Sequence, residues 1–165
     1  MRVLAISGSL QSSSSNSALV RAVVVAAPDD VIVEVWDGLA DVPPFRPDVD
    51  DGPRAVADLR AGVAAADLLL IATPEYAGGM PGTLKNALDW LVGSGELYGK
   101  AVVVVSAAPA VERGQGARRW TEETLRMQGA DVRASFTVAL QRREGDEALT
   151  AAARGVVDAL TGAVV

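Results

Sequence analysis

Leu68-Leu69-Leu70-Ile71-Ala72, Thr73-Pro74-Glu75-Tyr76-Ala77-Gly78-Gly79-Met80-Pro81-Gly82 and Thr83-Leu84-Lys85-Asn86-Ala87-Leu88-Asp89-Trp90 follow one another as strand, loop and helix. The first run is wholly apolar and bounded by Pro and Gly, which suits a strand buried on both faces. Pro81 and Gly82 open a helix whose apolar positions Leu84, Ala87, Leu88 and Leu91 recur at helical spacing. The loop Pro74–Gly82 therefore stands at the carboxyl end of a central strand. In open α/β sheets ligands bind there, because helix N-termini and free backbone N–H groups converge.

Working outward, the same unit repeats. Upstream, Val3–Ile6 is a short strand that stops at Ser7-Gly8-Ser9-Leu10-Gln11-Ser12-Ser13-Ser14-Ser15-Asn16-Ser17, and Ala18, Leu19, Ala22, Val23 and Ala26 then form a helical stripe. Val31–Val35 is the second strand. Trp36–Pro53, with Pro43, Pro44, Pro47 and Pro53, is a structured loop, since Trp36, Leu39, Val42 and Phe45 need a surface to pack on. Arg54–Ala66 regains helical spacing through Val56, Leu59, Val63 and Ala64.

Downstream, Gly93–Glu96 is turn-like, and Ala101–Val105 is a β-branched fourth strand. Ser106–Gly116 makes a third loop at a carboxyl strand end. A helix running through Trp120, Leu125 and Met127 is closed by Gly129. Val132–Leu140 is the fifth strand, Gln141–Gly145 a charged turn and Asp146–Leu160 an Ala-rich last helix. Strands alternating with helices imply a parallel sheet covered on both faces. Right-handed crossovers leave few strand orders, a flavodoxin-like one among them.

A chain of 165 residues, half of them apolar and with no low-complexity linker, is expected to form one domain over 1–165. The net charge of −6 and the lack of a basic stripe argue against nucleic acid and membrane surfaces as partners. No apolar stretch approaches the roughly 20 residues that span a bilayer, and Met1-Arg2 leads into a strand with no apolar h-region, so no signal peptide is expected. The absence of Cys excludes disulfides and thiolate nucleophiles and fits a cytoplasmic location. His is also absent, which removes the commonest general base and metal ligand. An enzyme of this composition borrows its chemistry from a cofactor.

The first loop, crowded with hydroxyls, admits two readings. It is a phosphate cradle, with Gly8 turning the backbone and small side chains meeting an oxyanion, or a flexible serine run that only caps the helix. Its place directly after a strand favours the cradle.

Gly8-Ser9-Leu10 with Asn16, and Pro74-Glu75-Tyr76 followed by Pro81-Gly82-Thr83-Leu84-Lys85-Asn86-Ala87-Leu88-Asp89-Trp90, make the chain resemble the NADPH-dependent FMN reductase family over nearly its whole length. The resemblance implies a flavodoxin-like three-layer α/β sandwich, a five-stranded parallel sheet in the order 2-1-3-4-5 with helices on both faces. It implies an FMN-dependent oxidoreductase that takes hydride from NADPH or NADH and passes it to a small-molecule electron acceptor: a flavin, quinone, azo dye or metal oxyanion. It also implies a homodimer or homotetramer. Carried over by position, it places the FMN phosphate against Ser9, Gln11, Ser14, Asn16 and Ser17. The isoalloxazine edge falls against Pro74, Glu75, Tyr76, Ala77 and Gly78, with Ser106 and Ala107 contributing from the third loop. No protein side chain is implied as a catalytic base, and no metal. Where the family usually carries Arg, this chain has Gln11, which exchanges a charge-assisted contact of about 1.5–3 kcal/mol for a neutral one. Ala77 and Gly79 stand where Asn and Ser are usual, and Ala107–Arg113 replaces a glycine-rich stretch.

Several side chains invite a chemical role beside a plainer one. Lys85, Asn86, Asp89 and Trp90 are better read as packing and capping residues than as catalysts. Glu75 is expected to contribute its backbone, because hydride transfer needs positioning and no obligatory protein base. Arg113, Arg118 and Arg119 either attract the 2′-phosphate of NADPH or belong to a solvated, salt-bridging helix start. The Trp36–Pro53 loop lines an entrance or dimer contact, or simply covers the surface. Against the reductase stand an electron carrier without NAD(P)H activity and a flavin-free interaction module.

Overall fold

Alternation of apolar side chains along the strands gives the sheet two buried faces, and the helices divide between them. In the computed structural model, which describes residues 1–49, 52–141 and 145–163, the strands are β1 (Arg2–Ser7), β2 (Ile32–Trp36), β3 (Leu68–Ala72), β4 (Ala101–Ala108) and β5 (Asp131–Ala139). They pair in parallel in the order β2-β1-β3-β4-β5, the flavodoxin-like order expected. The connecting helices are α1 (Ser15–Ala26), α2 (Arg54–Ala65), α3 (Gly82–Asp89), α4 (Gln115–Met127) and α5 (Asp146–Gly162). Of the expected charged turn, residues 142–144 lie outside the described residues, as do 50–51 of the long loop.

Val3, Ala5, Leu68, Leu70, Ala72, Val103 and Val105 pack on Leu19, Val20 and Val23 of α1 and Val156 and Leu160 of α5. Their neighbours Leu4, Ile6, Leu69, Ile71, Val102 and Val104 pack on Leu59 and Val63 of α2, Leu84 and Leu88 of α3, and Leu125 of α4. Every residue of β3 is buried, so the central run needed no polar alternation.

Two expectations are corrected. β4 continues through Ser106 and Ala107 to Ala108, because all three stay paired with Thr137, Val138 and Ala139 of β5. Ser106 and Ala107 are thus strand residues at the rim, and the third loop begins only at Pro109. The stripe of α4 is also not the one expected: Ala117, Thr121 and Leu125 face the sheet, whereas Trp120 and Met127 are 53% and 87% exposed.

The long loop packs as its apolar residues required. Leu39 is buried, Trp36 and Val42 join the α2–α3 core, and Phe45 meets Trp90 edge-on at 5.3 Å. Asn86 accepts from the Phe45 N–H at 2.8 Å and donates to the Pro43 carbonyl at 2.8 Å, which also receives the Trp90 indole N–H at 2.9 Å. Asn86 and Trp90 are therefore anchors for this loop, in line with the packing role read from the sequence.

Candidate cofactor site

The sheet ladder runs past the strand ends and fixes the loops side by side. The Gly8 N–H donates to the Ala72 carbonyl at 2.8 Å, and the Thr73 N–H to the Val105 carbonyl at 2.8 Å. The first loop is thereby pinned to β3, and the second to β4.

In the first loop the hydroxyls satisfy one another and the backbone. Ser14 caps α1, its Oγ accepting from the Ser17 N–H at 3.5 Å. Ser7 and Ser17 share a 2.8 Å hydroxyl contact, and the Ser9 Oγ accepts from the Gln11 N–H at 3.2 Å. The Gln11 side chain is exposed and donates to the Ser13 Oγ. Asn16 is buried and holds the backbone of Ala107 from both sides, Oδ1 accepting from its N–H at 2.9 Å and Nδ2 donating to its carbonyl at 3.3 Å. Its remaining amide hydrogen is what it has left for a ligand. The first-turn amides of α1 have no intrahelical acceptor and, with the positive end of the helix, suit an anion.

In the second loop Tyr76 and Gly79 exchange backbone hydrogen bonds of 3.0 Å each, and Ala77 and Gly78 between them have φ of 49° and 80°. Two successive positive φ values are the type I′ pattern, which matches the strand twist but places Ala77 in a region costly for any Cβ. A Cβ on Gly78 would meet no protein atom within 4 Å, so the turn presents bare backbone to open space. Tyr76, half exposed, reaches across to the first loop, its hydroxyl 3.3 Å from the Ser9 Oγ. Glu75 does more than its backbone role foresaw. Its Oε2 accepts from the N–H groups of Gly116 at 2.8 Å and Ala117 at 3.3 Å, capping α4 from another element. A Cβ on Gly116 would come within 2.4 Å of the Gly78 carbonyl, so the second loop lies directly on the start of this helix.

Between the second and third loops opens a cavity of about 520 Å³, lined by Pro74, Glu75, the strand end Ser106–Ala108, and Pro109, Ala110, Arg113 and Gly114. Its walls are mostly apolar, and one of the polar groups among them lacks a partner. The Ser106 Oγ is buried yet has no hydrogen-bond partner among the described residues. Gly114, at φ 78°, passes so near that a Cβ there would sit 2.3 Å from this oxygen. A buried hydroxyl left unpaired costs about 1–3 kcal/mol, which a ligand atom bonded to it would recover.

The structure thus gathers Pro74, Glu75, Ser106 and Ala107 around one cavity and bonds Ser9 to Tyr76. Ser14, at the start of α1, also lines a separate cavity of about 180 Å³ with Ser13, Ser15 and Arg21. Of the three arginines, Arg118 is spent on the hydroxyls of Thr137 and Ser135, and Arg119 lies 3.6 Å from Glu123, as a salt-bridging helix start requires. Arg113 alone of them lines the larger cavity. The cross-links made by Asn16 and Glu75 escaped sequence reasoning because their partners are 91 and 41–42 residues away. Trp120, over Gly79, was missed because spacing alone assigned it to the core.

Residues 1–144 match the family model of NADPH-dependent FMN reductases. The chain is 44% identical over 92 residues to an NAD(P)H-dependent FMN reductase of Pseudomonas aeruginosa, covering 54% of this chain and 49% of that protein. It is 34% identical over 116 residues to a quinone reductase of Escherichia coli K12, covering 67% of this chain and 62% of that one. The matches span about half to three-fifths of the length of these relatives. Among solved structures, the flavoenzyme FerB of Paracoccus denitrificans, an NAD(P)H:(acceptor) oxidoreductase, superposes with a TM-score of 0.79 at 25% identity, over 99% of this chain and 96% of that one.

Proposed function

The chain belongs to the NADPH-dependent FMN reductase family, and on that premise we propose that it is an FMN-dependent NAD(P)H oxidoreductase serving a small acceptor such as a flavin, quinone, azo compound or metal oxyanion. The observation that carries this reading is the 520 Å³ cavity at the strand ends, with its unpaired Ser106 hydroxyl and the bare backbone of Ala77–Gly78 nearby. The residues fit the cofactor: a flat heteroaromatic ring suits apolar walls, and its polar edge suits a lone buried hydroxyl and free backbone amides. FMN, when bound, would accept hydride from NADPH or NADH and release two electrons to the acceptor.

The chain supplies the rest. Ser9, Gln11, Ser14, Asn16 and Ser17, with the start of α1, hold the phosphate. Pro74, Glu75, Tyr76, Ala77 and Gly78 present backbone to the ring, and Ser106 and Ala107 close its far side. The Oε2 of Glu75 is engaged in capping α4, which supports a positioning role for this carboxylate. Pro74, Ala107, Ala108, Pro109 and Ala110 exclude water. We place all of 1–165 in one FMN-binding domain, in the cytoplasm, and in a homodimer or homotetramer. The exposed Trp120 and Met127 beside the second loop support the assembly, as an apolar patch a second copy would cover. Among the described residues no helix is long and apolar enough to cross a membrane.

Purified protein loaded with FMN should be yellow and bleach anaerobically on addition of NADPH or NADH, with colour restored by a quinone. Failure to retain FMN would overturn the proposal, and retained FMN with negligible NAD(P)H oxidation would identify an electron carrier instead.

A further inference from the structure

We propose that Arg113 is the charge-compensating residue of the cavity, a cation that favours the reduced, anionic state of the flavin over the oxidised one. The inference rests on the function proposed above and concerns a residue that stands in the stretch replacing the family's usual glycine-rich sequence.

Three observations converge on it. First, Arg113 lines the same cavity as Pro74, Glu75, Ser106 and Ala107, so a ring held by those residues lies in the cavity that Arg113 borders. Second, its backbone is fixed at both ends. The Arg113 N–H donates to the Ala110 carbonyl at 3.0 Å, and its carbonyl accepts from the Thr137 Oγ1 at 2.9 Å. Gly114 then reverses the chain in the left-handed region, tight against Ser106. The side chain thus starts from an anchored backbone at the cavity rim. Third, no carboxylate among the described residues is paired with Arg113. Glu75, the carboxylate of the lining, is turned onto the positive end of α4, and Arg118 and Arg119 have partners elsewhere. No ion pair involves Arg113 among the described residues.

A cation at the cavity rim with no ion-pair partner among the described residues is placed to meet negative charge developing in the cavity. Hydride transfer creates such a charge. The nicotinamide C4–H bond breaks with both electrons, the donor leaves as the oxidised pyridinium, and the ring that gains hydride carries one more negative charge than before. A cation bordering the cavity would lower the energy of that product and leave the neutral oxidised ring almost untouched.

The test is the midpoint potential of bound FMN, measured by anaerobic equilibration with a reference dye, together with the Kd for oxidised FMN. In Arg113→Ala the preference for reduced over oxidised FMN should fall about tenfold, a shift of about −30 mV for a two-electron couple. The Kd for oxidised FMN should change less than about threefold, and Arg113→Lys should keep most of the wild-type potential. An unchanged potential in Arg113→Ala with FMN still bound overturns the inference and leaves the proposed function standing. An unchanged potential accompanied by a kcat/KM loss for NADPH but not NADH overturns it too, assigning Arg113 to the 2′-phosphate of the donor. A wild-type chain that binds no FMN overturns the function itself and the inference with it.

Discussion

Substituting Glu75 separates what its carboxylate does for α4 from what its loop does for a ligand. Oε2 accepts two N–H groups from the first turn of α4, at 2.8 and 3.3 Å, and Gly114, just before that helix, offers no side-chain cap of its own. A side-chain cap contributes typically about 1 kcal/mol, and a carboxylate at an exposed helix N-terminus about 0.3–1 kcal/mol more. Glu75 is exposed and its second bond is long, so the lower part of each range applies. Glu75→Ala should cost about 1–1.5 kcal/mol, and Glu75→Gln, which keeps a neutral acceptor, about 0.5 kcal/mol. At about 2–4 °C per kcal/mol for a chain of this size, the Tm falls by about 2–6 °C and 1–2 °C respectively. Urea unfolding at pH 7 gives the free energies, and amide exchange locates them, since the Gly116 and Ala117 N–H groups should lose protection in Glu75→Ala. FMN affinity in Glu75→Gln should stay within about threefold of wild type, because the ring meets backbone there. Wild-type stability and unchanged exchange in Glu75→Ala would refute the cap. Loss of FMN from a fully stable Glu75→Gln would show that the carboxylate itself binds the cofactor.

Ala77→Asn relieves a left-handed residue at φ 49° and should raise stability by about 0.5 kcal/mol in urea unfolding; a decrease would mean that Ala77 carries no strain there. Gly79→Ser places a Cβ 2.7 Å from the Trp120 Cε3 and should cost about 1 kcal/mol. Because the conflict is with Trp120, that cost should vanish in a Trp120→Ala background, and simple additivity in the double-mutant cycle would disprove the contact. Asn86→Ala removes the acceptor of the Phe45 N–H and leaves the Pro43 carbonyl with the Trp90 indole alone of its two side-chain donors, and should cost about 0.5–1.5 kcal/mol. Limited proteolysis should then cut within the loop at residues 43–49, and resistance equal to wild type would show that other contacts hold it.

Local pattern was enough for the layers. Apolar runs at Val3–Ile6, Leu68–Ala72 and Ala101–Val105, each followed by a loop and a helical stripe, leave a doubly covered parallel sheet as the economical solution, and the order 2-1-3-4-5 followed from the resemblance. The end of β4 was not legible, because Ser106-Ala107-Ala108 has no β-branched residue and is held as strand by its partner β5. On α4, spacing put Trp120, Leu125 and Met127 on one apolar line. Only the neighbouring elements decide that Leu125 goes inside and Trp120 and Met127 stay out. Ser106 was expected at the site through the resemblance, but its lack of a partner among the described residues and the close pass of Gly114 over it are things no spacing encodes. The roles of Asn16 and Glu75 depend on backbone groups far along the chain, and a backbone group has no identity that a sequence displays.

Because the Tyr76–Gly79 turn closes on its own reciprocal hydrogen bonds, its shape does not wait for a visitor. On the function proposed above, a ring docking on this edge would meet a finished surface, with no ordering of residues 76–79 needed before it binds. Affinity differences among such ligands would then lie chiefly in how long they stay.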